Sequence, residues 1–122
     1  MKKIILIEDE EILANMYRLK FTKAGYEIIV ASDGEEGLTL VKKEKPDLIL
    51  LDIIMPKKDG FLVLEELKSN ASLKSIPVYM LTNLGQEEDV ARGKELGAIG
   101  YCIKADTTPG ELVEIINKHF KK

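Results

Sequence analysis

The sequence predicts an α/β fold, a doubly wound five-stranded parallel sheet with helices on both faces. Short continuous apolar runs, such as residues 4–7 and 48–51, are typical of strands that are buried on both faces in parallel sheets. Segments with helical spacing of apolar residues alternate with these runs along the chain. Five strand–helix units joined by right-handed crossovers place helices on both faces of one sheet.

Five strands are predicted from apolar runs that are bounded by turn residues. The first run ends in Glu8 and Asp9, and the third ends in Asp52. The fourth run ends in Thr82 and the fifth in Lys104. The predicted strands cover residues 4–7, 27–31, 46–52, 77–81 and 101–103.

Helix signals lie between these strands. After the first strand, Ile12, Met16 and Leu19 recur at helical spacing, and Gly25 is placed to close that helix as a C-cap. The second helix is predicted over residues 32–44. The third helix follows a loop and carries two apolar residues at helical spacing, Leu64 and Leu67.

The last two helices have clear boundaries. The fourth helix is predicted over residues 87–96 and stops at Gly97. The fifth begins with an N-cap residue, Thr108, a first-turn proline, Pro109, and a capping-box glutamate, Glu111. Its inward stripe contains three apolar residues, Leu112, Ile116 and Phe120.

Length and composition restrict the possible functions. The 122 residues predict one domain, residues 1–122, and 45% hydrophobic and 32% charged residues are ordinary for a globular protein. A net charge of -3 gives no electrostatic case for nucleic-acid binding, which needs a basic patch. The single cysteine, Cys102, excludes an internal disulfide and fits a reducing cytoplasm. The N-terminal apolar run is too short for a signal peptide or membrane span, so a cytoplasmic location without membrane contact is expected.

Polar residues follow four of the predicted strands. The carboxyl ends of parallel strands meet at one edge of a sheet, where ligands bind near the topological switch point. We therefore expect three carboxylates, one hydroxyl and one ammonium group to converge there, from Glu8, Asp9, Asp52, Thr82 and Lys104. Each residue alone has an ordinary explanation, such as acidic residues at the start of a helix. Their occurrence at successive strand ends favours a functional site.

This set of residues suits phosphoryl-transfer chemistry. Three neighbouring carboxylates repel one another, so at neutral pH they keep a proton or bind a cation. Oxygen ligands with room for water favour Mg²⁺ (or Mn²⁺). Asp52 is then the natural nucleophile toward a phosphoryl group, since aspartyl phosphates are an established covalent strategy. Thr82 can hydrogen-bond a phosphoryl oxygen, and Lys104 can pair first with Asp52 and then with the phosphate.

At these residues the chain resembles the receiver domain of two-component response regulators. The similarity runs from Lys3 to about Phe120 and comprises five separated motifs in the same order. The matching segments are residues 5–10, Asp52 with 55–56 and 59–60, 81–82, 96–98, and Tyr101 with Lys104. The resemblance implies a flavodoxin-like fold of the receiver type. It also implies that Asp52 is the phosphoacceptor, with Lys104 and Thr82 as its catalytic partners.

The resemblance further implies a metal site and a switch. Asp9 and Asp52 would ligate Mg²⁺ directly, Glu8 would act through water, and the backbone carbonyl of Ile54 would be a further ligand. The implied switch pair is Thr82 and Tyr101. The Thr82 hydroxyl would turn toward the phosphoryl group, and the Tyr101 ring would move inward behind it.

The implied function is a phosphorylation-dependent signalling switch in a two-component phosphorelay. The donor would be a sensor histidine kinase or a histidine phosphotransfer protein. Output to an unknown downstream protein would leave through the face built from the fourth helix, fifth strand and fifth helix. Such a domain catalyses its own phosphorylation and slow dephosphorylation without being a classical enzyme, and a monomer is expected unless it is phosphorylated. The sequence leaves open whether the domain stands alone or was cut from a longer regulator.

Two other classes fit the sequence less well. A haloacid-dehalogenase-type phosphatase would need a second aspartate two residues after the nucleophile, where this chain has Ile54. A flavodoxin-like nucleotide binder would need backbone donors after the first strand, where residues 8–11 are all acidic and would repel phosphate.

The chain departs from the receiver pattern at four positions. Receivers usually carry a cis proline after the lysine, but Ala105 stands here, and the cost of a non-proline cis bond, about 2.5–4 kcal/mol, predicts a trans Lys104–Ala105 bond. The resemblance implies that Ile54 and Leu84 flank the path of the hydrolytic water, and neither aliphatic side chain offers that water a polar group. Asn83 is larger than the residue usual there and narrows access to the phosphoryl group. We therefore expect these three residues to set a long lifetime of the aspartyl phosphate.

Overall fold

A computed structural model describes residues 1–121; Lys122, the last residue of the predicted domain, lies outside the described residues. Strands and helices alternate in the predicted order. The strands are β1 (Lys3–Ile7), β2 (Glu27–Ala31), β3 (Leu48–Leu51), β4 (Val78–Thr82) and β5 (Gly100–Ile103). The helices are α1 (Glu11–Lys23), α2 (Gly34–Glu44), α3 (Gly60–Ser69), α4 (Glu87–Glu95) and α5 (Pro109–Phe120).

All five strands pair in parallel in the order β2-β1-β3-β4-β5. The chain places β2 on one side of β1 and then crosses back to place β3, β4 and β5 on the other side. β1 and β3 are therefore neighbours, and the direction in which strands are added reverses between them. Ile7 pairs with Leu51, which aligns the carboxyl ends of the two central strands. The predicted doubly wound sheet is confirmed, and its topological switch point lies at this aligned edge.

Each face of the sheet is covered by its own apolar cluster. Alternate residues of β1 and β3 point to opposite faces, so Ile5 and Ile49 join one cluster while Ile4 and Leu48 join the other. Helices α2 and α3 contribute to the first cluster, and α1 and α5 contribute to the second. Both faces of these strands are therefore buried, which explains their continuous rather than alternating apolar pattern.

The first helix packs with a different face from the one its spacing pattern marks. Its buried side chains are Ala14, Tyr17 and Phe21. The three apolar residues that recur at helical spacing, Ile12, Met16 and Leu19, are instead 79%, 47% and 64% exposed. The predicted helix is confirmed, but this stripe faces outward because two large aromatic residues fill the space over β1 and β3.

The last helix begins as predicted. The Thr108 side chain accepts a hydrogen bond from the Glu111 backbone N–H, and the Glu111 carboxylate accepts one from the Thr108 N–H. This capping box satisfies two backbone donors that a helix start otherwise leaves unpaired. Among the described residues, no helix is long and apolar enough to cross a membrane.

Candidate functional site

The central strands bring Glu8 and Asp52 together. Each residue directly follows a member of the Ile7–Leu51 pair, so the register of the sheet places their backbones side by side. The Asp52 N–H continues the ladder by donating to the Ile7 carbonyl oxygen over 3.1 Å. Both carboxylates are buried, with Glu8 2% and Asp52 6% exposed. Buried carboxylates need a proton or a counter-charge.

Lys104 supplies that counter-charge. It is the first residue after β5, at the start of a short 3₁₀ helix (Lys104–Asp106). Its Nζ lies 2.5 Å from Glu8 Oε1 and 2.9 Å from Asp52 Oδ2, so the ammonium group bridges the two acids. The three residues thus form one buried charge cluster, as the strand ends predicted.

Burial and pairing act on the pKa values of this cluster. Burial opposes the charge of Lys104, but hydrogen bonds to Glu8 and Asp52 outweigh it and raise the pKa of the lysine. Burial also raises the pKa of Glu8, and its hydrogen bond with Lys104 offsets only part of that increase. The cluster therefore favours the charged form of Lys104, whereas burial makes the charged form of Glu8 costly.

The carboxylates form a possible metal site. One carboxylate oxygen from each of Glu8, Asp9 and Asp52 lies within 4.8 Å of the others, and Asp9 is exposed to solvent. The Glu10 N–H donates to Glu8 Oε2 over 3.0 Å, and the Ile53 N–H donates to Asp52 Oδ1 over 2.7 Å. An all-oxygen set with one side open to water fits a hard divalent cation such as Mg²⁺.

These groups line a small open cleft of about 250 Å³. The cleft contains every predicted catalytic and metal residue and two of the three residues expected to set the lifetime. Its lining residues are Glu8, Asp9, Glu10, Asp52, Ile54, Thr82, Asn83 and Lys104. Ile54 is 62% exposed at the rim. Leu84 is not among the lining residues; its side chain packs instead against the apolar cluster over α2 and α3.

The loop after β3 is shaped to pass close to Asp52. The Gly60 N–H donates to the Ile53 carbonyl oxygen over 2.8 Å, and a Cβ at Gly60 would overlap the carbonyl oxygen of Asp52. The Asp59 side chain accepts a hydrogen bond from the Leu62 N–H and caps α3. Asp59 and Gly60 therefore serve the geometry of the loop beside the acceptor rather than its chemistry.

Thr82 and Tyr101 meet at a common backbone segment. Thr82 is fully buried, and its Oγ1 accepts a long 3.4 Å hydrogen bond from the Leu84 N–H. The Tyr101 hydroxyl donates to the Leu84 carbonyl oxygen over 2.7 Å. Burial is the main cause that raises the pKa of Tyr101 to about 12. Leu84 is therefore hydrogen-bonded to both residues, so a movement of the Thr82 hydroxyl toward the cleft would break the bond on one side of Leu84 while Tyr101 holds the other.

Tyr101 also packs against α4. A Cβ at Gly93 would lie 3.2 Å from Cδ2 of the Tyr101 ring, closer than most real contacts of this kind. Gly93 is the single buried residue of α4. The glycine leaves room for the ring beside a helix that buries no other residue.

Two features of the loop after β5 bear on the sequence prediction. The Lys104–Ala105 bond is trans, as predicted, since residues 1–121 contain no cis peptide bond. The Asn83 side chain accepts a 3.0 Å hydrogen bond from the Ala105 N–H. This contact was not predicted from the sequence, although an alanine in place of the usual proline introduces a backbone N–H that can donate a hydrogen bond.

Comparison with known proteins is consistent with this geometry. A family model described as the response regulator receiver domain matches residues 4–117. The chain is 42% identical over 103 residues to the alkaline phosphatase synthesis transcriptional regulatory protein PhoP of Bacillus subtilis, covering 84% of this chain and 42% of that protein. This chain thus spans less than half the length of the curated relatives that it matches.

Solved structures resemble nearly the full length of the chain. The receiver domain of the Francisella response regulator 1452 has a TM-score of 0.91 at 29% identity, covering 99% of this chain and 98% of that one. The Mn²⁺-bound form of response regulator Rcp1 has a TM-score of 0.85 at 32% identity, with coverage of 97% and 93%.

Proposed function

This chain belongs to the response regulator receiver domains, which are phosphorylation-dependent switches, and we propose that Asp52 is its phosphoacceptor. The observation that carries the proposal is the bridge from Lys104 Nζ to both Asp52 Oδ2 and Glu8 Oε1, three residues that line an open cleft. A carboxylate that is buried, paired with a lysine and reachable from solvent has the surroundings that a nucleophile toward a phosphoryl group needs.

The proposed reaction is a phosphoryl transfer from a phosphohistidine. An oxygen of Asp52 forms a bond to phosphorus while the bond from phosphorus to the histidine nitrogen breaks, and the leaving imidazole keeps the electron pair and takes up a proton. Lys104 already lies against Asp52 and moves with its positive charge to the phosphoryl oxygens. Thr82, which lines the same cleft, donates a hydrogen bond from its hydroxyl to one of them. Catalysis then rests on positioning and charge compensation.

The carboxylates are proposed to hold Mg²⁺ or Mn²⁺. Asp9 and Asp52 would bind the ion directly, Glu8 would bind through water, and the backbone carbonyl of Ile54 would complete the protein ligands. The bound ion would neutralise phosphoryl oxygens as negative charge builds on them. The clustering of three carboxylates within 4.8 Å and the Mn²⁺-bound form of the similar Rcp1 support this assignment.

The switch is proposed to pass from Thr82 to Tyr101 through Leu84. The hydrogen bond that Thr82 Oγ1 accepts from the Leu84 N–H is long, at 3.4 Å, so little is lost when the hydroxyl turns to the phosphate. The loop then rearranges around the Leu84 carbonyl that holds the Tyr101 hydroxyl. The ring would move inward against Gly93, altering the face formed by α4, β5 and α5.

Membership of the family indicates the class of partner protein, not the individual partner. Receiver domains of response regulators interact with histidine kinases. A sensor histidine kinase or a histidine phosphotransfer protein is the proposed donor, in the cytoplasm, and the unphosphorylated domain is proposed to be a monomer. The similar PhoP is a transcriptional regulator and more than twice as long as the matched segment. Transcriptional regulation is therefore proposed for this chain only if it is part of a longer regulator.

Intact-mass spectrometry tests this function. The protein is incubated with acetyl phosphate, with and without Mg²⁺, and should gain the mass of one phosphoryl group only when Mg²⁺ is present. Asp52→Asn should gain nothing. Asp47→Asn is the matched control, since Asp47 precedes the same strand at its opposite end, and it should behave like the parent. A parent that gains no mass would refute the proposed function.

A further inference from the structure

One hydrogen bond joins the two loops that border the cleft. Asn83 Oδ1 accepts from the Ala105 N–H over 3.0 Å, and the two residues are 22 positions apart in the chain. Asn83 directly follows Thr82 at the end of β4, and Ala105 directly follows Lys104 at the end of β5. The bond therefore connects the residues next to the threonine and the lysine of the site.

This bond is well placed to hold Lys104. The Ala105 nitrogen is part of the peptide unit that also contains the Lys104 carbonyl, so a hydrogen bond to it fixes that peptide plane. The turn that follows is otherwise closed by a long bond of 3.4 Å from the Thr107 N–H to the Lys104 carbonyl oxygen. Ala105 and Asp106 are exposed, so packing adds little restraint there.

Asn83 is also part of the cleft itself. Its side chain is exposed at the rim and lines the same space as Asp52 and Lys104. Asn83 thus borders the reacting groups and is also hydrogen-bonded to the loop after Lys104, so it can link the position of that loop to the cleft. Ala105 makes this possible, since a proline there would have no N–H to donate.

We propose that Asn83 is a positioning residue for the phosphoryl-transfer reaction, acting through its hydrogen bond to the Ala105 N–H to hold Lys104 over Asp52. The proposal rests on the proposed function of Asp52. It differs from the steric effect expected from the size of Asn83, because that effect does not depend on an N–H at position 105.

The first experiment measures the hydrogen bond in unphosphorylated protein. Amide hydrogen exchange at Ala105, followed by NMR, should be about tenfold faster in Asn83→Ala than in the parent. Asn83→Asp keeps an oxygen acceptor at the same reach and should retain the slow exchange. An Ala105 amide that exchanges equally fast in the parent and in Asn83→Ala would overturn the proposal.

The second experiment is a double-mutant cycle on the rate of phosphorylation by acetyl phosphate. In the parent background, Asn83→Ala should slow the reaction about 2- to 10-fold, the effect of losing one hydrogen bond. In the Ala105→Pro background there is no N–H to lose, so the same substitution should not slow the reaction. Any steric contribution of Asn83 would appear equally in both backgrounds and would cancel from the comparison.

The outcomes are separable. Equal effects of Asn83→Ala in the two backgrounds would show that the hydrogen bond does not position Lys104, even if it forms. A parent that accepts no phosphoryl group would count against the proposed function, and with it against a positioning role. If the parent does accept a phosphoryl group but its Ala105 amide exchanges fast in the unphosphorylated protein, only the hydrogen bond is refuted.

Discussion

Lys104 and Glu8 form a buried ion pair across 96 positions of sequence, with Nζ 2.5 Å from Oε1 and side chains only 9% and 1% exposed. Glu8 is also one of the three carboxylates proposed to surround the metal ion. The lysine therefore neutralises the acids of the cleft and at the same time repels a second cation. Its charge should set the affinity of the site for Mg²⁺.

Replacing Lys104 should strengthen Mg²⁺ binding. A unit charge about 6 Å from a divalent ion in water costs roughly 1.4 kcal/mol, so Lys104→Met should bind Mg²⁺ on the order of tenfold more tightly by calorimetry. Lys3→Met is the matched control, because it removes the same charge from a distant ion pair with Glu44 and should leave the affinity nearly unchanged. Equal affinities in the parent and Lys104→Met would contradict an ammonium group that competes for these acids.

Ile54 should lengthen the life of the phosphorylated state. It lies at the rim of the cleft, 62% exposed, and has no polar group with which to orient an attacking water. Ile54→Asn adds one hydrogen-bonding group, worth ~1–3 kcal/mol, and should speed loss of the phosphate very roughly 5- to 150-fold. Following the phosphoprotein over time measures this rate. Ile54→Val, similarly apolar, is the control and should decay like the parent.

Leu84 should behave differently from Ile54. Its side chain packs against the core cluster instead of lining the cleft. A polar residue at this position loses apolar burial, so Leu84→Glu should lower the urea midpoint of unfolding, whereas Ile54→Asn should leave it almost unchanged. Similar midpoints for the two variants would show that Leu84 is not a packing residue.

Helix α4 should exchange its amide hydrogens faster than α3. Among the described residues, α4 buries only Gly93, whereas α3 buries Gly60, Phe61, Val63, Leu64 and Leu67. A helix with little apolar burial and an internal glycine opens at low cost. Hydrogen exchange should show this order in the unphosphorylated protein and a change in α4 after phosphorylation. Equal protection of α3 and α4 would argue against α4 as the mobile element.

Tyr101 should make stability depend on pH in the alkaline range. Burial raises its pKa from 10.0 to about 12, so the folded protein keeps a phenol proton that the unfolded chain releases. Its contribution is complete below pH 10 and is lost as pH rises toward 12. Urea midpoints measured at about pH 9 and pH 11 should fall more in the parent than in Tyr101→Phe. A fall of the same size in both proteins would show that Tyr101 titrates normally.

The fold and most of the site were predictable because the strands, and the polar residues that follow them, can be identified directly in the sequence. Continuous apolar runs identified β1 and β3, and the parallel arrangement then brought Glu8, Asp52 and Lys104 to one edge. The register Ile7–Leu51 is the physical reason that two residues 44 positions apart become neighbours. A capping box likewise marked the start of α5 through local contacts alone.

Side-chain direction was less predictable. Spacing placed Ile12, Met16 and Leu19 on one face of α1, but it did not show that Tyr17 and Phe21 fill the core. Helical periodicity gives a face only when one stripe is apolar, and α1 has apolar residues on two. The bond from Asn83 to Ala105 was missed for a related reason, since a contact between two loops depends on the sheet that brings them together.

Locating the phosphoryl group tests most directly whether Asp52 is the phosphoacceptor. Sodium borohydride converts an aspartyl phosphate to homoserine, and peptide mass spectrometry then identifies the converted residue. After treatment with acetyl phosphate and Mg²⁺, we expect homoserine at position 52 alone and none in Asp52→Asn. Homoserine at Asp9 or at another aspartate, with Asp52 unmodified, would show that Asp52 is not the phosphoacceptor.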